Sequence, residues 1–256
     1  MSHSPINFPS FYRTSLGHMT RKLLRGKIRE AWPSTEGKTV MGLGFPIPYL
    51  MPFLQESERV VGFTAPTHHI RPWPKNRKCL VGMAHMDSLP VADDFADCIL
   101  LVHHLEHAKN TTEVLREVWR TLKPEGRLLI VLPYRRGIWS RTESTPFGHG
   151  HPYTQTQAKN LLEGNLFTPL TVRRSLFVPP TNLRFVHAMG RTFEKIFRYC
   201  FLRFSGVLVI EAKKEVFGGT LTGEVASHRK KTFAGVVSLQ KGMRPNSQVK
   251  KNGKAS

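Results

Sequence analysis

Five short runs of apolar residues, separated by polar or helical stretches, mark the chain between residues 39 and 132. These runs are nearly continuous rather than strictly alternating, which is typical of strands buried on both faces of a parallel sheet. After the fourth run, apolar residues recur at helical spacing from Val114 to Leu122, and Asn110 precedes them as an N-cap. This alternation of strand, helix and strand predicts an α/β fold with a doubly wound, mostly parallel sheet. The runs lie at residues 39–41, 59–63, 79–83, 97–102 and 127–132.

The segments on either side follow different patterns. Apolar residues from Leu16 to Trp32 approximate a helical stripe, so we expect an N-terminal helix after Pro9. Thr154 and Gln157 form a capping-box pattern for a later helix. We also predict strands at 170–178 and 206–211, a helix at 182–202 between them, and a basic tail without periodicity. The predicted organisation is a basic helical segment (1–37), a central domain (38–219) with an insertion at about 134–169, and a basic, disordered tail (220–256).

The composition adds a strong positive charge. The 256 residues include 38 Lys and Arg but 18 Asp and Glu, for a formal net charge of +20. Residues 1–38 and 220–256 carry 15 of those bases and 3 of those acids, so much of the excess lies in the flanks. Such flanks favour an anionic partner or nucleic acid.

Compartment and covalent chemistry can also be judged from composition. The three cysteines are widely spaced without a C-x-x-C pair, which argues against a disulfide scaffold or zinc ribbon and for a reducing compartment. The apolar runs are far shorter than the ~20 residues of a transmembrane helix, so we expect no transmembrane segment. We therefore expect a cytoplasmic protein, or a mitochondrial one if the source is eukaryotic, because the first 29 residues contain Arg and Ser but no acid.

A glycine pair follows the first predicted strand. Gly42 and Gly44 would let the backbone approach a ligand closely, at a sheet edge that leads into a helix. A dinucleotide fingerprint needs a third glycine where Ile47 stands, and an acid where the second strand ends at Thr64. An NAD-linked oxidoreductase is therefore disfavoured.

The ordered pattern of two longer segments is more specific. An acid-rich turn, Leu89–Asp97, leads into the fourth strand, and the sequence LREVWRTLKPEGRLLI follows at Leu115–Ile130. Together these segments resemble class I S-adenosylmethionine-dependent methyltransferases of the small-molecule type, over about residues 38–133. The resemblance implies a seven-stranded Rossmann-like sheet, S-adenosylmethionine as cofactor, and methyl transfer to an O, N or C nucleophile. The alternative is a methyltransferase-like protein without catalysis that binds nucleic acid or an acidic partner through its basic flanks.

The resemblance also implies a set of cofactor-binding positions, some of which depart from the family pattern. Val40 stands in place of the acid that leads the glycine loop, and Pro46 replaces its third glycine. Thr64 replaces the acid that holds the ribose, and His85 replaces the Asp that meets the adenine, with Asp87 two residues later as a substitute. The full set of expected cofactor-binding residues is Gly42, Gly44, Thr64, His85, Met86, Asp87, Val102 and His103.

Two histidine-containing segments are candidates for chemistry. The first, His103–His107, matches the H-x-x-E-H pattern in which Glu106 would serve as the base of a zinc site, but a third ligand is not evident. We favour the other interpretation, in which Val102 and His103 line the ligand-binding edge of the fourth strand. The second segment is the loop after the fifth strand, where His149, His151 or Tyr153 could deprotonate the methyl acceptor.

Overall fold

In the computed structural model, the described part of the chain comprises residues 7–66, 72–75, 78–180 and 205–216. Within it, seven strands form one sheet in the order β3-β2-β1-β4-β5-β7-β6. Strands β1 to β5 run parallel to one another, and β7 runs antiparallel to both β5 and β6. The strands are β1 (Thr39–Gly44), β2 (Arg59–Thr64), β3 (Val81–Met83), β4 (Ala96–Val102), β5 (Leu122–Pro133), β6 (Phe167–Ser175) and β7 (Val207–Lys214).

Helices cover both faces of this sheet. They are α1 (Phe8–Phe11), α2 (Ser15–Ala31), α3 (Ile47–Leu50), α4 (Thr111–Thr121) and α5 (Gln155–Glu163), with single 3-10 turns at Met51–Gln55, Trp139–Arg141 and Pro146–Gly148. On one face, α1, α2 and α3 pack on the side chains of Val40, Leu100 and Leu129. On the other face, α4 and α5 pack on alternating neighbours such as Ile99 and Ile130. Continuous apolar strands were therefore the correct signal for a sheet buried on both sides.

The N-terminal helix is part of this core. Thr14 caps α2 by accepting a hydrogen bond from the Gly17 N–H at 3.0 Å, and the expected stripe from Leu16 to Ile28 is buried. The helix predicted from Asn110 is confirmed as α4, and the Thr154 capping box is confirmed at the start of α5. The division of the chain at residue 38 stays a prediction, although α2 shares one apolar cluster with the sheet.

The helix expected directly after the glycine pair is much shorter than a usual crossover helix. It has four residues, and a 3-10 turn carries the chain on towards β2. Pro52 lacks the backbone N–H that a longer α-helix would need to bond to the Pro48 carbonyl, which explains why it ends. Because α3 is short, α2 supplies much of the cover on this face.

The remaining predictions differ in position or lie elsewhere. Strands expected at 79–83, 170–178 and 206–211 are found displaced by up to three residues, as β3, β6 and β7. The helix predicted at 182–202 and the tail from 220 fall outside the described residues. Among the described helices, none has the length and apolar character required to cross a bilayer.

Candidate functional site

The carboxyl ends of β1 and β4 meet at the centre of the sheet, where Gly44 lies opposite Val102. After β1 the chain turns to the face of α3, whereas after β4 it continues to α4 on the opposite face. Such a point of divergence is where open α/β sheets bind ligands. Gly44 adopts φ +86°, and a Cβ there would collide with the carbonyl oxygen of Val102. The Phe45 N–H donates to that same carbonyl at 2.8 Å, so the glycine loop is bonded directly to β4.

His103 follows β4 directly and adopts a left-handed conformation, φ 54°, that is uncommon for a residue other than glycine. Its side chain is buried. The His103 Nε2 lies 2.7 Å from the Tyr12 hydroxyl, and its Nδ1 lies 3.3 Å from Glu106 Oε1. The Tyr12 hydroxyl is also 2.6 Å from the hydroxyl of Tyr49, in α3. These four side chains form a continuous hydrogen-bonded set, which we call the buried polar chain.

The protonation of the buried polar chain follows from its surroundings. Burial raises the pKa of Tyr12 and of Tyr49, which keeps both phenols neutral. Burial alone would raise the pKa of Glu106, but the hydrogen bond and charge of His103 hold it below its ordinary value. The ionised Glu106 therefore accepts the Nδ1–H of His103, and when the imidazole is neutral its Nε2 accepts the O–H of Tyr12.

Aromatic rings enclose this hydrogen-bonded set. The rings of Phe8 and Phe147 lie 4.9 Å and 4.7 Å from the His103 ring, centre to centre. Phe8 and Tyr12 each stack on Phe45, at 5.2 Å and 5.8 Å with interplanar angles near 20°. Phe8 and Tyr12 belong to residues 7–14, the N-terminal arm, which covers the edge of β1 and β4. The arm was not recognised from the sequence as part of the site.

The expected glycine-loop residues have different roles in the structure. Gly42 makes room for Pro46, because a Cβ on Gly42 would lie 2.5 Å from the Pro46 Cβ. Val40, which stands where the family pattern has an acid, is fully buried in the sheet. Gly44 and Val102 lie together at the predicted edge. The structure thus brings Gly44, Val102 and His103 together, and their role in binding a cofactor stays a prediction.

The other expected cofactor positions lie near the ends of β2 and β3. Thr64 ends β2 and is buried, and its carbonyl accepts the Ala84 N–H at 3.0 Å. His85 and Asp87 are exposed on the connection that follows β3, whereas Met86 between them is buried. Neither His85 nor Asp87 uses its side chain in a hydrogen bond or ion pair with another described residue. As far as the described residues go, both side chains are available to a ligand.

The predicted catalytic loop lies against the turn that follows β4. The His151 N–H donates to the Glu106 carbonyl at 2.7 Å, which places the loop beside the buried polar chain. The His149 Nε2 donates to the Glu143 carbonyl at 2.7 Å, and the His151 Nε2 accepts from Arg135 at 3.0 Å. Both Nε2 atoms are therefore engaged within the loop.

Tyr153 is buried, and its burial raises the pKa of its phenol. It is anchored through its backbone, which pairs with Tyr134 and Pro133. The catalytic assignment of His149, His151 and Tyr153 stays a prediction.

The zinc interpretation of His103–His107 requires two ligands one helical turn apart. In the structure these residues form turns rather than a helix, and His103 is bonded to Tyr12 and Glu106 instead. Across the described ranges, no group of three or more His, Cys, Asp or Glu side chains is arranged to hold a metal ion. The pattern did identify Glu106, but as a zinc-site base rather than as the partner of His103.

Comparison with known proteins agrees with this architecture. Residues 41–130 match the family model described as Methyltransferase domain. The ubiquinone/menaquinone biosynthesis C-methyltransferase UbiE of Pectobacterium carotovorum is 42% identical over 48 residues, which are 19% of this chain and 19% of that protein. UbiE of Proteus mirabilis is 40% identical over a segment of the same length and share. The chain thus spans about a fifth of the length of the curated relatives that it matches.

Solved structures extend the likeness to the fold. A methyltransferase from Archaeoglobus fulgidus described as S-adenosylmethionine-dependent aligns at TM-score 0.56 with 18% identity, covering 76% of this chain and 94% of that one. A similarly described enzyme from Mesorhizobium loti aligns at TM-score 0.54 with 15% identity, covering 74% of this chain and 96% of that one. A chain from the Haloferax volcanii complex with the Trm112 methyltransferase activator aligns at TM-score 0.61 with 16% identity. The alignment covers 84% of this chain and 98% of that one. Residues 41–130 thus match the methyltransferase-domain family, and the strand order and fold of the described residues are those of solved S-adenosylmethionine-dependent methyltransferases.

Proposed function

We propose that this chain is an S-adenosylmethionine-dependent methyltransferase that acts on an O, N or C nucleophile. The observation that carries the proposal is the edge of β1 and β4, where Gly44 and His103 meet at the ligand-binding point of a sheet with this strand order. The match of residues 41–130 to the methyltransferase family supports the same activity. The cofactor supplies an electrophilic methyl group, and the protein's contribution is chiefly to position the acceptor.

The available polar groups fit the adenosine half of the cofactor. The Thr64 hydroxyl has one long hydrogen bond, 3.5 Å to the next carbonyl, and the side chains of His85 and Asp87 are free among the described residues. The exposed His85 and Asp87 would therefore bond ribose and adenine, and the backbone at Gly44 would meet the methionine half. Each acid missing from the family pattern removes a charge-assisted hydrogen bond of ~1.5–3 kcal/mol, which is roughly a 10- to 100-fold loss of affinity.

Calorimetric titration of the full chain with S-adenosylmethionine tests the proposal. We expect binding, and we expect Asp87→Asn to weaken it by about 10-fold, because the amide cannot replace the charge of the carboxylate. Glu36→Gln is the matched control, since Glu36 is also exposed but lies before β1, at the opposite edge of the sheet. Undetectable binding at millimolar cofactor would overturn the proposal and favour the non-catalytic alternative.

A further inference from the structure

The hydroxyl of Tyr12 is hydrogen-bonded to the Nε2 of His103, where the carboxyl ends of β1 and β4 form the proposed ligand site. With the Nδ1–H of His103 held by Glu106, the neutral imidazole presents its Nε2 lone pair, and the Tyr12 hydroxyl oxygen lies 2.7 Å from that nitrogen. A carboxylate that orients an imidazole towards a hydroxyl is an arrangement suited to proton abstraction. The hydroxyl that the structure places there is a phenol from the protein itself.

The surroundings of Tyr12 match a flat aromatic ring with a hydroxyl at its far end. Its ring stacks on Phe45 and meets the Tyr49 ring edge-on at 5.9 Å and 89°. The Tyr49 hydroxyl is the second polar group within reach of the Tyr12 oxygen. An aromatic ring gains stacking and burial in this position, whereas an aliphatic alcohol would lose the stacking.

The segment that carries Tyr12 forms backbone hydrogen bonds within itself, although its aromatic side chains are buried. The backbone N–H groups of Phe11, Tyr12 and Thr14 all bond to carbonyls within the N-terminal arm. The arm is joined to α2 at a tight corner, where a Cβ on Gly17 would collide with the Phe11 carbonyl oxygen. Its contacts with the edge of β1 and β4 include ring stacking and the hydroxyl of Tyr12.

We propose that Tyr12 occupies the binding site of a para-substituted phenol, and that such a phenol displaces the arm and donates its O–H to His103. The proton of the phenol passes to Nε2, its electron pair stays on oxygen as the phenolate, and the Glu106 carboxylate offsets the imidazolium. Glu106 acts through His103 and is a positioning residue. That this phenol is the methyl acceptor rests on the proposed function, whereas its binding does not.

The test uses p-cresol, which is the tyrosine side chain as a free molecule, and toluene, which lacks the hydroxyl. Calorimetry without cofactor compares the wild type with Gly17→Ala, which loosens the arm, and with Gly26→Ala on the exposed side of the same helix. Loosening raises the fraction of molecules with a free site, so p-cresol should bind Gly17→Ala at least ~10-fold tighter than wild type. Gly26→Ala should match the wild type. Toluene should bind at least ~10-fold more weakly than p-cresol, because it leaves Nε2 unpaired.

Two further variants keep the inference falsifiable if Gly17→Ala does not fold. Tyr12→Phe removes the competing hydroxyl but keeps the ring, and it should also tighten p-cresol binding relative to wild type. His103→Gln should abolish the preference for p-cresol over toluene. In the wild type, p-cresol but not toluene should speed tryptic cleavage after the exposed Arg13, which lies in the arm.

Equal binding of p-cresol and toluene, or cleavage at Arg13 unchanged by p-cresol, would overturn this inference. Loss of S-adenosylmethionine binding with an intact preference for p-cresol would overturn the proposed function alone. Intact S-adenosylmethionine binding without a preference for p-cresol would overturn the phenol site alone.

Discussion

The packing of α1 against the start of α2 leads us to expect opposite changes in stability when two glycines of α2 are replaced by alanine. A Cβ on Gly17 would collide with the Phe11 carbonyl oxygen and lie 2.7 Å from the Cα of Tyr12. A Cβ on Gly26 would have nothing within 4 Å. Alanine gains at most ~1 kcal/mol of helix propensity at either position, so a loss of stability at Gly17 reports the contact between the N-terminal arm and α2.

The expected changes in the free energy of unfolding have opposite signs. Gly26→Ala should stabilise the protein by up to ~1 kcal/mol, since alanine is that much better than glycine in a helix interior. At Gly17, ordinary contact begins near 3.4 Å, so the 2.7 Å approach to Tyr12 forces the arm to move by about 0.7 Å or more. The obstacle is backbone, which cannot rotate away as a flexible side chain would. Overpacking of this kind costs ~1–3 kcal/mol, which exceeds the gain in propensity.

Urea denaturation of the two variants and the wild type measures both effects. The unfolding midpoint should fall for Gly17→Ala and rise for Gly26→Ala. If the arm is already displaced in folded Gly17→Ala, the slope m should also fall, because less surface is left to expose on unfolding. A Gly17→Ala protein as stable as Gly26→Ala would refute the placement of the arm against α2.

Three further substitutions test other contacts. The folded-state pKa of Glu106 lies below its ordinary value of 4.5, so its carboxylate stabilises the fold above that pH and the contribution is lost as pH falls through the folded-state pKa. In Glu106→Gln, the free energy of unfolding measured by denaturation should therefore fall less steeply as the pH is lowered than in the wild type. The exposed control Glu36→Gln should behave like the wild type. Thr154→Ala removes the capping-box oxygen and should cost ~1 kcal/mol, against little change for the exposed Thr156→Ala in the same helix. Lys214→Met removes a buried ammonium that bonds to a carboxylate and a carbonyl, and it should cost ~1–3 kcal/mol in thermal unfolding, so a change under ~0.5 kcal/mol would contradict that role.

The parts of the fold that the sequence predicts well are those with local signals. Asn110 accepts hydrogen bonds from the N–H groups of Thr112 and Glu113, and such a cap is specified within three residues. Burial on both faces leaves continuous apolar runs, so the central strands were also identifiable. The short α3 could also have been predicted, because Pro52 prevents a longer α-helix after β1.

The candidate site was only partly predictable, because its central contact is not local. The edge formed by Gly44 and His103 follows from strand order, which the motifs indicated. The bond from Tyr12 to His103 joins residues 91 positions apart, and no spacing rule links a tyrosine of an N-terminal segment to a strand end. The sequence singled out Glu106 only as part of a metal-binding motif. Its pairing with His103 was not predictable, because it depends on a turn in which His103 has a positive φ.

One departure of this chain from its family pattern, Pro46, is connected to the N-terminal arm. Pro46 fits beside β1 because Gly42 has no Cβ, and the short helix that follows places Tyr49 within reach of Tyr12. Phe45, between the glycine loop and that helix, is the surface on which the arm stacks. A ligand that must displace the arm binds with an affinity reduced by the fraction of molecules in which the site is free. Weak cofactor binding could thus arise from the missing acids or from the closed arm. Gly17→Ala separates the two causes, since it should strengthen binding only where the arm is the obstacle.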